Sequence, residues 1–215
     1  MQTIKYKEGG EVMKKLFTLL FAFTFMFLLN TEEGHAQGTD TYKVVKGDSM
    51  WKISVKYEIG LDAIIRANPQ VKNPALIYPD QILNIPNIDN VKSVEQTVLT
   101  LVNKERAKLG LNGLQMDWEL QRTARYKSQD MRDKGYFSHQ SPTYGSPFDM
   151  MKAFGIKYRT AGENIAQGQQ TAEQVMKSWM NSAGHRKNIL SKDFTHIGVG
   201  YVSNGNYWTQ MFIGK

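Results

Sequence analysis

Residues 196–213 read His-Ile-Gly-Val-Gly-Tyr-Val-Ser-Asn-Gly-Asn-Tyr-Trp-Thr-Gln-Met-Phe-Ile, and this stretch decides the fold class. Two segments, His196 to Val202 and Tyr207 to Ile213, lie on either side of Asn204-Gly205. Asn-Gly between two such segments is the strongest short-range signal for a β-hairpin. The stretch therefore predicts two antiparallel strands joined by a tight turn.

The sequence before this hairpin is predicted to be mainly helical. Four apolar residues at helical spacing predict a helix over residues 94–108: Val94, Val98, Leu101 and Val102. Asp117 is the predicted N-cap of a second helix over 118–134, which Gly135 ends. Shorter helices are predicted after Ser146 and after Thr171. Helices combined with a small antiparallel sheet indicate an α+β sandwich over residues 94–215.

A smaller unit precedes this domain at residues 42–86. The sequence predicts a strand from Tyr42, helices over 50–57 and 61–68, and a closing strand over 81–86. The order is strand, helix, helix, strand. Residues 87–93 are polar and follow Pro86, which is typical of a linker.

The motifs of this unit resemble a LysM module. They are Tyr-x-Val-x-x-Gly-Asp-x-x-Trp-x-Ile-Ser from Tyr42, Asn68-Pro69, and Ile77-x-Pro79-x-Gln81-x-Leu83-x-Ile85-Pro86. The resemblance implies binding of the N-acetylglucosamine units of peptidoglycan or chitin in a shallow groove. It assigns the groove to two short segments of this chain: Gly47, Asp48, Ser49 and Met50 on one side, and Ile77, Tyr78 and Pro79 on the other.

Two residues of the first helix need separate interpretation. Met50 occupies a position where such modules usually have leucine, which is a volume-conserving change. Trp51 is interpreted as a core residue rather than a sugar-stacking one, because apolar Ile53 and Val55 follow it in the same helix. A single module of this kind is expected to bind its polymer weakly.

The C-terminal domain resembles the CAP superfamily, which includes cysteine-rich secretory proteins, insect venom antigens and plant pathogenesis-related proteins. The resemblance rests on motifs spread over the whole domain: Leu101-x-Asn103-x-x-Arg106, Phe137-Ser138-His139-x-Ser141-Pro142, Gly162-Glu163-Asn164-Ile165-Ala166, Trp179-x-x-Ser182-x-Gly184-His185-Arg186-x-Asn188-Ile189-Leu190, Ile197-Gly198-Val199-Gly200 and Tyr207-Trp208-Thr209-Gln210. It implies an α-β-α sandwich. The fold class is therefore α+β, with a small βααβ LysM module followed by that sandwich.

The CAP resemblance places three candidate site residues in one cleft: His139, Glu163 and His185. Eukaryotic members have two histidines and two glutamates there, but this chain has Ser182 where the second glutamate is expected. Two imidazoles and one carboxylate are the smallest protein ligand set of an open zinc site. Three roles stay open: Glu163 braces the cleft by a hydrogen bond, the three residues hold a metal, or they are catalytic.

Three further polar residues are candidates of lower interest. His196 at the start of a strand is interpreted as structural, and Asn164 as a residue that ties a turn to its own backbone. Ser182 with His185 is a conceivable nucleophile pair, although no third orienting group is evident.

Residues 1–36 have the features of a secretory signal peptide. Lys14 and Lys15 precede an apolar core from Leu16 to Leu29, and Gly34-His35-Ala36 is a small-residue cleavage site. This core has fewer residues than the roughly 20 that span a bilayer. Met13 is an alternative start. We expect a secreted protein with a short tail at residues 37–41 and no stable membrane anchor after cleavage.

Composition limits the chemistry. The chain has no cysteine, so disulfides, thiolate metal sites and thiol catalysis are excluded. Its net charge of +7 comes without a run of basic residues, and a scattered excess fits anionic wall polymers better than sequence-specific nucleic-acid recognition.

The combined features predict a wall-associated protein of a Gram-positive bacterium. We expect its partner to be peptidoglycan or another N-acetylglucosamine polymer, with wall or spore-coat proteins as further partners and no nucleic acid. The CAP domain is then a recognition or assembly module at the wall or spore envelope, and no cofactor is required. The alternative is a hydrolase that uses zinc in the CAP cleft and is targeted to the wall by LysM.

Overall fold

A computed structural model describes the chain over residues 39–215. The predicted signal peptide and the first residues of the predicted tail lie outside the described residues. Among the helices of the described part, none combines the length and the apolar character needed to cross a bilayer.

The N-terminal module has the predicted order of elements. Strand β1 (Thr39–Lys43) pairs antiparallel with β2 (Ile82–Pro86), and helices α1 (Met50–Tyr57) and α2 (Leu61–Arg66) lie between them in sequence. Seven buried apolar side chains form its core: Val44, Met50, Ile53, Ile59, Ile64, Leu83 and Ile85. The module therefore has a hydrophobic core of its own.

The C-terminal domain contains a four-stranded sheet and five helices in its described residues. The helices are α3 (Asp89–Ala107), α4 (Trp118–Lys134), α5 (Pro147–Ala153), α6 (Ala172–Asn181) and α7 (Ala183–Ile189). The strands are β3 (Gln115–Met116), β4 (Thr160–Gln167), β5 (His196–Val202) and β6 (Tyr207–Gly214). Their order in the sheet is β3-β5-β6-β4, with β3 parallel to β5 and the other pairs antiparallel.

Helices cover both faces of this sheet. Ile197, Val199, Trp208 and Phe212 share one core with buried residues of α3 and α6. Met211 and Ile213 point to the opposite face and pack with α4 and α5. Because successive side chains of a strand alternate between faces, one sheet supplies both cores. The predicted α-β-α sandwich and its C-terminal hairpin are confirmed.

Four features differ from the sequence-based expectation. Helix α3 begins at Asp89, so most of the segment predicted as a linker is helical. Strands β3 and β4 and helix α7 were not predicted. The segment Gly-Glu-Asn in β4 has weak intrinsic strand preference, and its conformation is stabilised by pairing along its whole length with β6.

The central contact of the domain is between α4 and β5. Gly198 and Gly200 face this helix, and a Cβ atom on Gly200 would overlap the backbone of Ala124, while one on Gly198 would overlap that of Leu120. Ser128 follows one turn later and donates from Oγ to the Gly200 carbonyl at 3.0 Å. The two glycines thus allow backbone to lie directly against backbone.

The two domains meet at the C-terminal end of α1, where carbonyl groups lack helical partners. Arg125 of α4 donates from Nη1 to the Glu58 carbonyl at 2.6 Å. The same guanidinium binds Glu95 of α3 with distances of 2.5 to 3.0 Å, and the Glu95 side chain is fully buried. Lys92 donates to the Tyr57 carbonyl at 3.1 Å. Cations at a helix C-terminus also interact favourably with the helix dipole.

The prediction that Trp51 is a core residue is wrong. Its side chain is 42% exposed, and Arg122 of α4 stacks over its ring at 4.7 Å from the centroid. Tyr126, one turn later on the same helix, lies near Asp62; burial and the charge of this carboxylate raise its pKa to about 12. Trp51 therefore contacts the second domain, because apolar Met50 and Ile53 already fill the core beneath α1.

The glycine contact predicts a clear asymmetry between two Gly→Ala variants. We expect Gly200→Ala to lower the free energy of unfolding by about 3 kcal/mol, because the added methyl group forces α4 away from the sheet. Gly184→Ala lies in a helix with open space around it, so it should be neutral or stabilise by up to about 1 kcal/mol. Urea unfolding measures both, and equal stabilities would contradict the close contact.

The contacts of Arg125 at the junction predict that its removal lowers the free energy of unfolding substantially. We expect Arg125→Ala to destabilise by about 3–5 kcal/mol, because it leaves the Glu95 carboxylate buried without its cation. Arg132→Ala on the same helix is the matched control, since its pair with Asp133 is solvent-exposed and worth less than about 1 kcal/mol. Calorimetric melting compares them, and a small loss for Arg125→Ala would show that the junction does not depend on this pair.

Candidate functional site

The first wall of the cleft is the loop that follows α4. Gly135 ends that helix in the left-handed conformation with φ of 65°, which turns the chain back. Lys127 then holds the loop from beneath: its Nζ donates to the carbonyls of Ser138 at 2.8 Å and His139 at 2.9 Å. The lysine is 1% exposed. A buried ammonium group that is satisfied by carbonyls makes the position of the His139 backbone specific.

Asp130, also on α4, fixes the other end of this loop. Its carboxylate accepts hydrogen bonds from Tyr136 at 2.5 Å, Ser141 at 2.7 Å and Thr143 at 2.5 Å. Burial alone would raise the pKa of Asp130, but the bonds from Thr143, Tyr136 and Ser141 outweigh it and lower that pKa. The ionised carboxylate therefore ties residues 136–143 to the helix.

The two predicted residues His139 and Glu163 are in direct contact. Nδ1 of His139 lies 2.6 Å from Oε1 of Glu163. Glu163 is in β4 with its side chain 1% exposed, whereas the His139 side chain is 54% exposed. When Nδ1 donates to the carboxylate, Nε2 is left as an acceptor for a ligand or proton. Buried Oε2 of Glu163 has no hydrogen-bond partner among the described residues.

His185 comes from the third element, α7. Burial lowers the pKa of His185, and the nearby charge of His139 lowers it further. Asn164 Nδ2 donates to the His185 carbonyl at 3.1 Å and to Gln210 of β6 at 3.0 Å, and Asn188 Nδ2 donates back to Asn164 at 2.9 Å. Asn164 thus joins α7 to the sheet. It is structural as predicted, but it lies in a strand and bonds to another element rather than to its own turn.

These residues line a cleft of about 800 Å³. His139, Glu163, His185 and Asn188 are among its polar lining residues. Phe137 and Phe148 at its rim are 50% and 49% exposed. Exposed aromatic rings beside a few convergent polar groups are typical of a ligand site.

The side chains as they lie do not form a zinc site. Among residues 39–215, no three His, Asp or Glu side chains are grouped closely enough to hold a metal ion. Ser182, which stands in place of the second glutamate, is the residue before α7. The His139–Glu163 hydrogen bond engages Nδ1 and Oε1, whereas Nε2 and Oε2 are not part of it, so zinc binding stays a prediction.

Sequence reasoning missed Lys127. It lies seven residues after Leu120 and three after Ala124, on the same buried stripe of α4, and a lysine on an apolar stripe is a signal of a buried polar role. His196 lies outside the cleft and contacts the Thr195 hydroxyl with Nδ1 at 2.8 Å.

In the N-terminal module, several predicted groove residues have structural partners. Asp48 accepts from the Tyr42 hydroxyl at 2.8 Å and the Val45 amide at 2.9 Å, and these bonds lower its pKa. Ser49 caps α1 by accepting from the Lys52 amide. Met50 is 2% exposed and belongs to the core, so its side chain does not line a groove.

The second predicted wall of the glycan groove contains an accessible aromatic ring. Tyr78 is 59% exposed, and Ile77 and Pro79 lie beside it. Backbone bonds between Val44 and residues 80–81 join the two segments, and Gly47 remains exposed in the turn before α1. Tyr78 is therefore the main apolar surface of the predicted groove.

Comparison with known proteins identifies both parts. The family model described as the cysteine-rich secretory protein family, CAP, matches residues 99–213. The chain belongs to this family. A LysM domain model matches residues 42–86 in addition. We therefore call the two parts the CAP domain and the LysM domain.

Three relatives illustrate the similarity. YkwD of Bacillus subtilis (strain 168), described as uncharacterized, is 67% identical over 126 residues, which are 59% of this chain and 49% of YkwD. An extracellular protein containing an SCP domain from Bacillus anthracis str. Ames has a TM-score of 0.57 and 35% identity, over 64% of this chain and 47% of that one. The spore coat assembly protein ExsA of Bacillus cereus is 41% identical over 44 residues, which are 20% of this chain and 7% of ExsA. The chain thus spans about half or less of each relative.

The cleft predicts an unusual titration of His185. We expect its NMR titration midpoint to lie below the ordinary histidine value of 6.5, and His139→Ala to raise it only in part, because burial is the larger cause. Since the folded pKa is the lower one, the stability that neutral His185 contributes is present above about pH 6.5 and falls as pH drops from there to the folded pKa. A midpoint at or above 6.5 would contradict this environment.

Proposed function

We propose that this protein is secreted, associates with the cell wall and binds peptidoglycan through its LysM domain, while the CAP domain acts as a recognition or assembly module. The observation that carries the first part is the exposed Tyr78 in a complete LysM domain. A flat ring beside backbone donors and acceptors suits an N-acetylglucosamine unit, which has an apolar sugar face and an acetamido group. One shallow site of this kind gives micromolar to millimolar affinity.

The cleft supports the recognition role of the CAP domain. Its lining includes the half-exposed rings of Phe137 and Phe148, and the exposed imidazole of His139 can present Nε2 as an acceptor. A wall fragment with an apolar face and an N–H or O–H group would satisfy both. No cofactor is needed for such binding.

A hydrolase is the second candidate, and the His139–Glu163 hydrogen bond favours it. A carboxylate that orients an imidazole leaves Nε2 free to accept a proton, which is a common feature of general bases. Zinc at this site is a further part of that alternative. Binding is the main proposal, because the exposed Tyr78 and the half-exposed Phe137 and Phe148 offer apolar surfaces to a ligand.

We further propose that the wall or the spore envelope is the site of action. The similarity to the extracellular Bacillus anthracis protein and the 44-residue similarity to ExsA support these two locations respectively. Wall or spore-coat proteins are proposed as additional partners, whereas nucleic acid is not.

The function is tested by peptidoglycan binding of the protein over residues 37–215. We expect Tyr78→Ala to weaken binding about tenfold, equivalent to about 1.4 kcal/mol, because it removes the apolar surface of the groove. Tyr78→Phe keeps the ring and should bind as the wild type does. Trp51→Ala should also bind normally, since that ring stacks with Arg122 at the junction with the CAP domain.

Two outcomes would argue against the proposal. Unchanged binding by Tyr78→Ala would place the glycan site elsewhere. Release of soluble wall fragments by the wild type but not by His139→Ala would favour the hydrolase.

A further inference from the structure

The positive charge of the protein is concentrated in the CAP domain. Residues 89–215 have 17 Lys and Arg against 11 Asp and Glu, whereas residues 37–88 have 6 against 5. The LysM domain is thus nearly neutral. An excess of cations on one domain favours an anionic partner for that domain.

Part of this charge is gathered where α7 ends and β5 begins. Two adjoining depressions, of about 450 and about 500 Å³, share Lys192. Arg186 and Lys187 line one, and His196 lines the other; we call these four residues the basic surface. No carboxylate side chain lines either depression within the described residues.

The cations of the basic surface are available for a ligand. Arg186, Lys187 and Lys192 are exposed, and none takes part in an ion pair of the described residues. Arg186 uses one nitrogen on the Met180 carbonyl at 3.0 Å and retains its other donors. The nearby carboxylate of Asp193 is exposed at the edge. Asp117, a second carboxylate near His196, is paired with Lys215, so the three lysine and arginine side chains leave this region positive.

Neutral donors accompany the charges. Ser191 lines the first depression, and Asn112 and Thr195 line the second. A guanidinium, two ammonium groups and hydroxyls within one surface are the groups that bind phosphate oxygens. Phe194 and His196 are the aromatic residues that line the second depression. Phe194 is only 8% exposed and His196 is half-buried, so neither offers the open ring on which the bases of single-stranded nucleic acids stack.

We propose that the basic surface binds a phosphodiester polymer of the bacterial wall. This inference rests on the proposed wall location. The two connected depressions favour successive phosphates of an extended polymer over a single small anion. Helix α7 supplies both sites: His185 and Asn188 line the cleft, whereas Arg186 and Lys187 line the basic surface. Polymer binding would therefore hold the cleft close to the wall.

The test compares purified walls with intact phosphodiester polymers and walls from which hydrofluoric acid has removed them. We expect the wild type to bind intact walls about tenfold more tightly at low salt, and this difference to shrink as ionic strength rises to about 0.3 M. The triple variant Arg186→Gln, Lys187→Gln, Lys192→Gln should bind both walls equally. Melting curves establish that it is folded.

The matched control is Lys104→Gln, Lys134→Gln, Lys177→Gln, which removes the same charge from exposed positions outside both depressions. This control should keep the preference for intact walls. If both triple variants lose the preference for intact walls equally, the effect comes from net charge alone and the proposal is overturned. An unchanged preference in the Arg186, Lys187 and Lys192 variant would overturn it as well.

Two further measurements show which proposal a negative result contradicts. Vesicles of phosphatidylglycerol replace the polymer as a probe, and binding to them as tight as to intact walls would favour a lipid surface and overturn the polymer. Tyr78→Ala is measured on the stripped walls. Unchanged binding there contradicts the LysM proposal alone, whereas an unchanged first triple variant on intact walls contradicts only the basic surface.

Discussion

The contact between α4 and β5 is the constraint on which the rest of the structure depends. Gly198 and Gly200 have no side chains, so the backbone of the helix lies against the strand at Leu120 and Ala124. Once this face of α4 is packed against β5, the orientation of its other faces is also fixed. Arg122 and Arg125 then reach the LysM domain, while Lys127 and Asp130 reach the loop that contains His139.

In this chain without cysteine, buried charged side chains connect segments that are distant in sequence. Lys127 and Arg125 each donate to backbone carbonyls, which connect segments distant in sequence, and Arg125 also neutralises Glu95. Such groups stabilise a structure only when their bonds are complete, because an unpaired buried charge is costly. They therefore specify one arrangement of loop, helix and neighbouring domain rather than a family of similar ones.

The junction also changes how the LysM domain is understood. Its first helix ends on Arg125 and Lys92 of the CAP domain, and its Trp51 lies beneath Arg122. The proposed glycan surface at Tyr78 is on a different segment, after α2. The proposed glycan surface and the domain junction thus involve separate residues of the LysM domain.

The sequence by itself determined the two domains, the hairpin at Asn204-Gly205, the boundaries of the helix from Trp118 to Lys134, and the candidates His139, Glu163 and His185, because turns, caps and motifs are local signals. Only the tertiary structure decided that Glu163 lies in a strand, that Trp51 contacts Arg122, and that Lys127 holds the His139 loop. These features depend on pairing and burial between residues far apart in the chain, which local patterns do not encode.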